Sequence, residues 1–184
     1  MIENIFSIPL YRQKLNIDNK KINDFITSLS SSSDGVVKSN VNGWQSKNIV
    51  DADEMSEFLK CLDMHLMAFS AMISIQLERN VSRLWANLNR YSSYNLNHIH
   101  PGCLVSGVYY TKVPENSGAI YFNNPVGNEC GLSGFISGFP ELKPFREFPA
   151  EEGDLLLFPS WLDHGVLPNM NESEDRISIS FNVN

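Results

Sequence analysis

No run of eighteen apolar residues occurs anywhere in the 184 residues, so no segment is long enough to cross a bilayer as a helix. The opening MIENIFSIPLYRQ lacks a basic segment followed by a long apolar core, the pattern an export signal requires. A soluble, unexported chain is expected. Cysteine is scarce: Cys61, Cys103 and Cys130 are odd in number, widely spaced and without a CxxC pair. That argues against a disulfide framework or structural zinc site and for a reducing, cytoplasmic setting. Positive charge is short too, 14 Lys and Arg against 21 Asp and Glu for a net charge of −7. A nucleic-acid partner or an anionic membrane would call for the opposite balance. Histidine is nearly as scarce as cysteine, with four in the chain, which makes their placement informative.

With 42% hydrophobic and 19% charged residues, the composition is that of one compact domain, 1–184, with a sizeable core. Ile5 to Leu15, with apolar Ile5, Phe6, Ile8, Leu10 and Tyr11 interrupted by Pro9, suggests an edge or bent strand. Asp18 or Asn19 can cap a helix whose apolar stripe is Ile22, Phe25, Ile26 and Leu29. The serine run 30–33 with Asp34 and Gly35 reads as a flexible surface loop. Asp51 with Glu54 resembles a capping box opening a long helix, with Met55, Phe58, Leu59, Leu62, Leu66, Phe69, Ile73 and Leu77 on one stripe. Met64, Met67 and Met72 read as core filler, and His65, alone on that helix, as a boundary residue.

From Arg83 the pattern changes to short extended segments between Gly, Pro and Asn clusters. Strands are expected at 84–90, 94–100, 106–112, 118–122, 154–158 and 176–183. Helical support over 1–80 followed by a β core over 81–184 is an α+β arrangement. About eight strands would close as a two-sheet jelly roll with N-terminal helices packed on one sheet and a ligand pocket at its mouth.

Two clusters on this frame carry chemistry. In an extended Asn97-His98-Ile99-His100, side chains two apart share a face, so His98 and His100 point together. Alone, an HxH triplet is better explained by an ordinary alternating strand. His164, delivered by a turn, strand and loop over 153–163, offers a third imidazole. On the last strand Arg176, Ser178 and Ser180 share one face and Ile177, Ile179 and Phe181 the other. Either the Arg face is solvated, or it looks into the jelly roll, where a guanidinium needs an anion of matching fork geometry.

The segments YNLNHIHPGCLVSGVYYTKVPENSGAIYF and PAEEGDLLLFPSWLDHGVLPNMNESEDRISISFN closely resemble the 2-oxoglutarate and Fe(II) dependent oxygenase superfamily. The resemblance is nearest to an uncharacterised branch from marine bacteria and their phages, with prolyl-hydroxylase-like enzymes as relatives. IFSIPLY and GWQS look like the same branch. The resemblance implies a double-stranded β-helix whose HxD…H iron triad maps onto His98, His100 and His164. It places the distal carboxylate of 2-oxoglutarate on Arg176 and Ser178, with Tyr110 of the VYY segment adding a hydroxyl. His100 stands where the superfamily usually has Asp or Glu, so the site carries three neutral ligands in place of two histidines and a carboxylate; Asp163 is the nearest carboxylate in sequence. The implied activity uses Fe(II), 2-oxoglutarate and O2 to hydroxylate a peptide or small-molecule substrate, releasing succinate and CO2. Asn97 and Asn87 are candidates for support or substrate contact, or are turn and surface residues. Trp85 and Trp161 line a substrate mouth or pack in the core. No nucleic-acid or membrane partner is implied, and a homodimer is admitted. Two rivals stay open. A cupin-like thiol dioxygenase with three histidines would not need the Arg176-Ile177-Ser178 group, and a non-catalytic jelly-roll module would bind no metal.

Overall fold

The computed structural model describes residues 7–125 and 143–184. In chain order the elements are β1 (Tyr11–Lys14), α1 (Asn19–Ser32), β2 (Asn40–Val41), β3 (Trp44–Gln45), a 3-10 turn (Asp53–Met55), α2 (Ser56–Ile73), β4 (Val81–Asn89), β5 (Tyr94–His98), β6 (Val105–Lys112), β7 (Ile120–Asn123), β8 (Phe145–Phe148), β9 (Asp154–Pro159), β10 (His164–Val166) and β11 (Arg176–Val183). A six-stranded sheet runs β1-β9-β6-β11-β4-β3 and a five-stranded sheet runs β2-β5-β10-β7-β8. Two facing antiparallel sheets with helices on one of them are the expected jelly roll. The expected closure into a barrel is not found: among the described residues no strand pairing joins the sheets, which meet through side chains and leave a gap between their inner faces.

Period-2 alternation explains where each face goes. On β4, Leu84, Ala86 and Leu88 point outward, as do Ile177, Ile179, Phe181 and Val183 of β11, into one core with Ile22 and Ile26 of α1 and Phe58, Leu62, Leu66 and Phe69 of α2. Phe58 stacks on Tyr109 at 5.0 Å and meets Phe181 edge-on at 5.7 Å. Each such buried side chain contributes about 1.5–3 kcal/mol, so the helical layer holds the large sheet from behind. β9 is buried on both faces. Leu155 and Leu157 join that core, while Leu156 and Phe158 join a second cluster between the sheets with Val108, Tyr110, Ile120 and Phe122. Arg176, Ser178, Asn87 and Asn89 therefore face the smaller sheet.

The helices depart from the sequence pattern at their ends. α1 is capped by Asp18, whose side chain accepts from Lys20 N at 3.0 Å, but it runs to Ser32, through the serines expected to form a loop. The hydroxyls of Ser30 and Ser31 donate back to Thr27 O, and Ser32 to Ser28 O, which satisfies them on the helix itself. Asp51 caps nothing: the 3-10 turn leads into α2 with no side-chain cap, and α2 stops at Ser74 in the left-handed region, before Leu77. Met64, Met67 and Met72 are exposed, not core filler, because the stripe at Phe58, Leu62, Leu66 and Phe69 already fills the helix–sheet gap. His65 is half-buried and bonded to the Tyr11 hydroxyl at 2.8 Å, a boundary role as expected. β1 falls within the expected edge strand and pairs with β9; Ile5 and Phe6 lie outside the described residues. β2, β3, β8 and β10 were not expected as strands. Cys61 and Cys103 are free thiols, and Cys130 lies outside the described residues. No described helix is long and apolar enough to cross a membrane.

Candidate metal and cosubstrate site

Strand pairing in the small sheet assembles the histidines. β10 lies between β5 and β7, with His164 opposite His98 on one side and Phe122 on the other. His100 sits just past the end of β5, where its backbone N donates to Ser160 O at 2.9 Å. One ligand-type nitrogen from each of His98, His100 and His164 lies within 4.8 Å of the others, and the rings are 4.5–5.1 Å apart. His65, the fourth, is remote on α2.

Backbone carbonyls fix which nitrogens face inward. Nδ1 of His98 is 2.7 Å from Leu96 O, and Nδ1 of His164 is 2.8 Å from Leu162 O. A carbonyl only accepts, so both Nδ1 atoms carry the proton and both Nε2 atoms keep a lone pair for a metal. Nε2 of His100 lies 3.3 Å from Nε2 of His164; nitrogens this close share one proton or one cation. Burial keeps the rings neutral. It lowers His98, takes His100 down to about 4 with help from His98, and takes His164 down to about 3 with further lowering by His98. Phe158 and Phe122 pack on the His164 ring at 4.7 and 5.8 Å, and Trp85 lies 5.6 Å from the His100 ring. Three neutral, pre-oriented donors fit a divalent transition ion. Asp163 does not join them. Its carboxylate, just ahead of β10, accepts from Asn123 Nδ2 at 2.7 Å.

The second cluster lies in the same narrow cavity, which His98, His100, His164, Tyr110, Arg176 and Ser178 all line. Arg176 is 1% exposed. Its Nη1 donates to the carbonyls of Ser117, Gly118 and Leu167, and among the described residues no carboxylate pairs with it. Burial alone lowers its pKa, yet a guanidinium stays charged. Tyr110, 2% exposed, is pushed up to about 12 by burial, against the pull of Arg176. The inner face of β11 thus looks into the jelly roll and not into solvent.

Sequence reasoning did not place Asn89 here. It lines the cavity beside Asn87, whose Nδ2 donates to Ser180 Oγ at 3.0 Å. The alternation of β4, with Arg83, Trp85, Asn87 and Asn89 on one face, was the available signal. Asn97 is exposed and accepts from the Tyr121 hydroxyl. Trp85 lines the outer groove over the histidines, whereas Trp161 is exposed.

Solved structures share this architecture at low identity. A Pseudomonas putida prolyl-4-hydroxylase aligns with a TM-score of 0.64 at 13% identity over 96% of this chain and 92% of its own. A Trichoplax adhaerens prolyl hydroxylase, in complex with a hypoxia inducible factor oxygen degradation domain peptide fragment, gives 0.65 at 16% over 95% and 82%. HygX from Streptomyces hygroscopicus, with nickel and 2-oxoglutarate bound, gives 0.64 at 15% over 96% and 82%. No curated protein matches the chain. The fold is thus the jelly roll of the 2-oxoglutarate oxygenases. Residues 83–182 match the family described as "Putative 2OG-Fe(II) oxygenase", and the chain belongs to that family.

Proposed function

We propose that the protein is a 2-oxoglutarate and Fe(II) dependent dioxygenase that hydroxylates a peptide or small-molecule substrate. His98, His100 and His164 would hold the iron, and Arg176, with Ser178 and Tyr110, the distal carboxylate of 2-oxoglutarate. The observation that carries this is the buried Arg176, a cation without a carboxylate partner among the described residues, opening into the cavity onto which the three imidazoles also open. A buried charge without a partner costs several kcal/mol, and a carboxylate seated against it removes that cost.

Fe(II), when bound, supplies activation of O2 coupled to oxidative decarboxylation of 2-oxoglutarate to succinate and CO2. The protein's part is positional. The Leu96 and Leu162 carbonyls hold two imidazoles in the tautomer that presents Nε2. The Ser117, Gly118 and Leu167 carbonyls occupy Nη1 of Arg176, which orients the guanidinium for a carboxylate. Phe122, Phe158, Val108 and Ile120 keep water from the space between. No side chain is required as general acid or base. The free thiols of Cys61 and Cys103 support a reducing, cytoplasmic setting.

The thiol-dioxygenase reading shares the histidines but leaves Arg176 without a purpose. Succinate formed by the iron-loaded protein separates the two. Formation from 2-oxoglutarate that falls in Arg176→Ala supports the proposal, whereas O2 consumption with a free thiol and no requirement for 2-oxoglutarate supports the rival.

A further inference from the structure

We propose that the substrate carries an anionic group, a carboxylate or a phosphate, bound by Lys38, Lys47 and Arg83 at the mouth of the jelly roll; this rests on the function proposed above and narrows its substrate. A groove of about 1020 Å³ opens there. It is built from Val36, Lys38, Ser39, 45–48, 83–85, 95–101 and Asn182, and His98 and His100 form part of its wall, so whatever occupies it lies against the candidate metal ligands.

The chain's net charge is −7, yet among the described residues this groove holds three cations and no carboxylate. Ion pairs among the described residues occupy Arg12, Lys14, Lys20, Arg79 and Lys112 and leave Lys38, Lys47 and Arg83 unpaired. Acid gathers elsewhere: a second hollow is lined by Glu115, Glu147, Glu151 and Glu152 and, among the described residues, by no cation. A positive groove in a negative chain concentrates anions at one place and repels them from the rest.

Strand register shows where such an anion would sit relative to the chemistry. β11 and β4 pair Arg176 with Asn89, Ser178 with Asn87, Ser180 with Trp85 and Asn182 with Arg83. One inner face therefore bears a cation at each end, roughly 20 Å apart at about 3.4 Å per residue. Arg176 occupies the closed end and Arg83 the open end. Trp85 stands between them, its ring 5.6 Å from that of His100. Lys47 runs beside β4, since Ser46 N donates to Ala86 O and Ile49 N to Leu84 O. Lys38 comes from a segment tied to β5 by Leu96 N donating to Ser39 O. An anion held by these three places the adjoining atoms over Trp85 and against His100. The inner cation takes the cosubstrate's carboxylate and the outer three the substrate's, so the two acids do not exchange places.

All three cations are exposed, so replacing them leaves the core intact. The test measures anisotropy of a rhodamine-labelled hexaglutamate peptide and of its hexaglutamine counterpart on protein loaded with Mn(II) and 2-oxoglutarate. Wild type is compared with the combined Lys38→Gln, Lys47→Gln, Arg83→Gln variant at low and high salt. Hexaglutamate is expected to bind at least about tenfold more tightly than hexaglutamine, with the preference lost in the variant and reduced by salt. Displacement by glucose 6-phosphate but not glucose would extend the site to small phosphates; no displacement by either would assign it to a peptide carboxylate. Equal binding of the two peptides by wild type, or an undiminished preference in the variant, would overturn the proposal. Calorimetry of 2-oxoglutarate on the same wild-type sample keeps the two readings apart: 2-oxoglutarate binding without anion preference refutes only this inference, and its absence refutes the proposed function.

Discussion

Replacing Arg176 by Met removes the buried cation while keeping most of its volume. In the ligand-free protein two effects oppose. An unpaired buried charge is relieved, worth several kcal/mol. Against that, the Ser117, Gly118 and Leu167 carbonyls lose charged hydrogen bonds worth about 1.5–3 kcal/mol each. The diagnostic quantity is therefore the stabilisation added by 2-oxoglutarate. Truncating one partner of a buried charged pair costs about 2–5 kcal/mol, and a middle value of about 3.5 weakens binding roughly 300-fold. At a concentration 100 times its Kd, the ligand stabilises wild type by about 2.7 kcal/mol, and the variant at the same concentration by only about 0.2. For a chain of this length, about 2–4 °C accompany each kcal/mol. Thermal melts of the Mn(II)-loaded protein should then show a shift of roughly 5–11 °C for wild type and under about 1 °C for Arg176→Met. Arg176→Lys should recover part of it, lacking the planar fork. An equal shift in wild type and Arg176→Met would refute the assignment of the carboxylate to this residue.

His100→Asp places an anionic oxygen where this chain has an imidazole and should raise Mn(II) affinity by about tenfold or more in calorimetry; weaker binding in a folded variant would mean that the pocket is shaped for three rings. Acidity should destabilise the metal-free protein. The unfolded chain takes up protons near 6.5, whereas burial holds His100 down to about 4 and His164 to about 3, so stability should fall as the pH drops from 6.5 toward 4. The rings titrate as a coupled set, and melts that are flat across that window would show them to be solvated. Gly107→Ala would drive a methyl into the Phe181 ring and the Leu156 carbonyl, costing about 1–3 kcal/mol in urea unfolding; an unchanged midpoint would mean that this contact is loose.

The residues proposed to bear the chemistry are legible in the sequence because they obey strand alternation. His98 and His100 share a side, and so do Arg176 and Ser178, and both pairs line one cavity. What positions them was not legible. The carbonyls of Ser117, Gly118 and Leu167 that hold Arg176, and those of Leu96 and Leu162 that set two tautomers, are backbone groups without a side-chain signature. β2, β3 and β10 span two or three residues each, too short for a period, and exist because a partner strand lies alongside. Residues of β8 are mostly exposed and carry no buried alternation. The serine run joins α1 against its propensity, its hydroxyls satisfied on the Thr27 and Ser28 carbonyls, and composition does not reveal which side of a helix the sheet covers, so the exposed methionines carry no signal either. Lys38, Lys47 and Arg83 lie on three separate segments, and only the fold brings them to one groove.

Calorimetric titration of 2-oxoglutarate into the protein with and without Mn(II) tests the central claim most directly, because it asks whether the imidazoles and Arg176 act on one ligand. The account predicts about one 2-oxoglutarate per chain in the presence of metal. Binding should be much weaker without metal, and similarly weakened in His164→Ala and in Arg176→Ala. Binding of equal strength with and without metal, or none in either case, would contradict it.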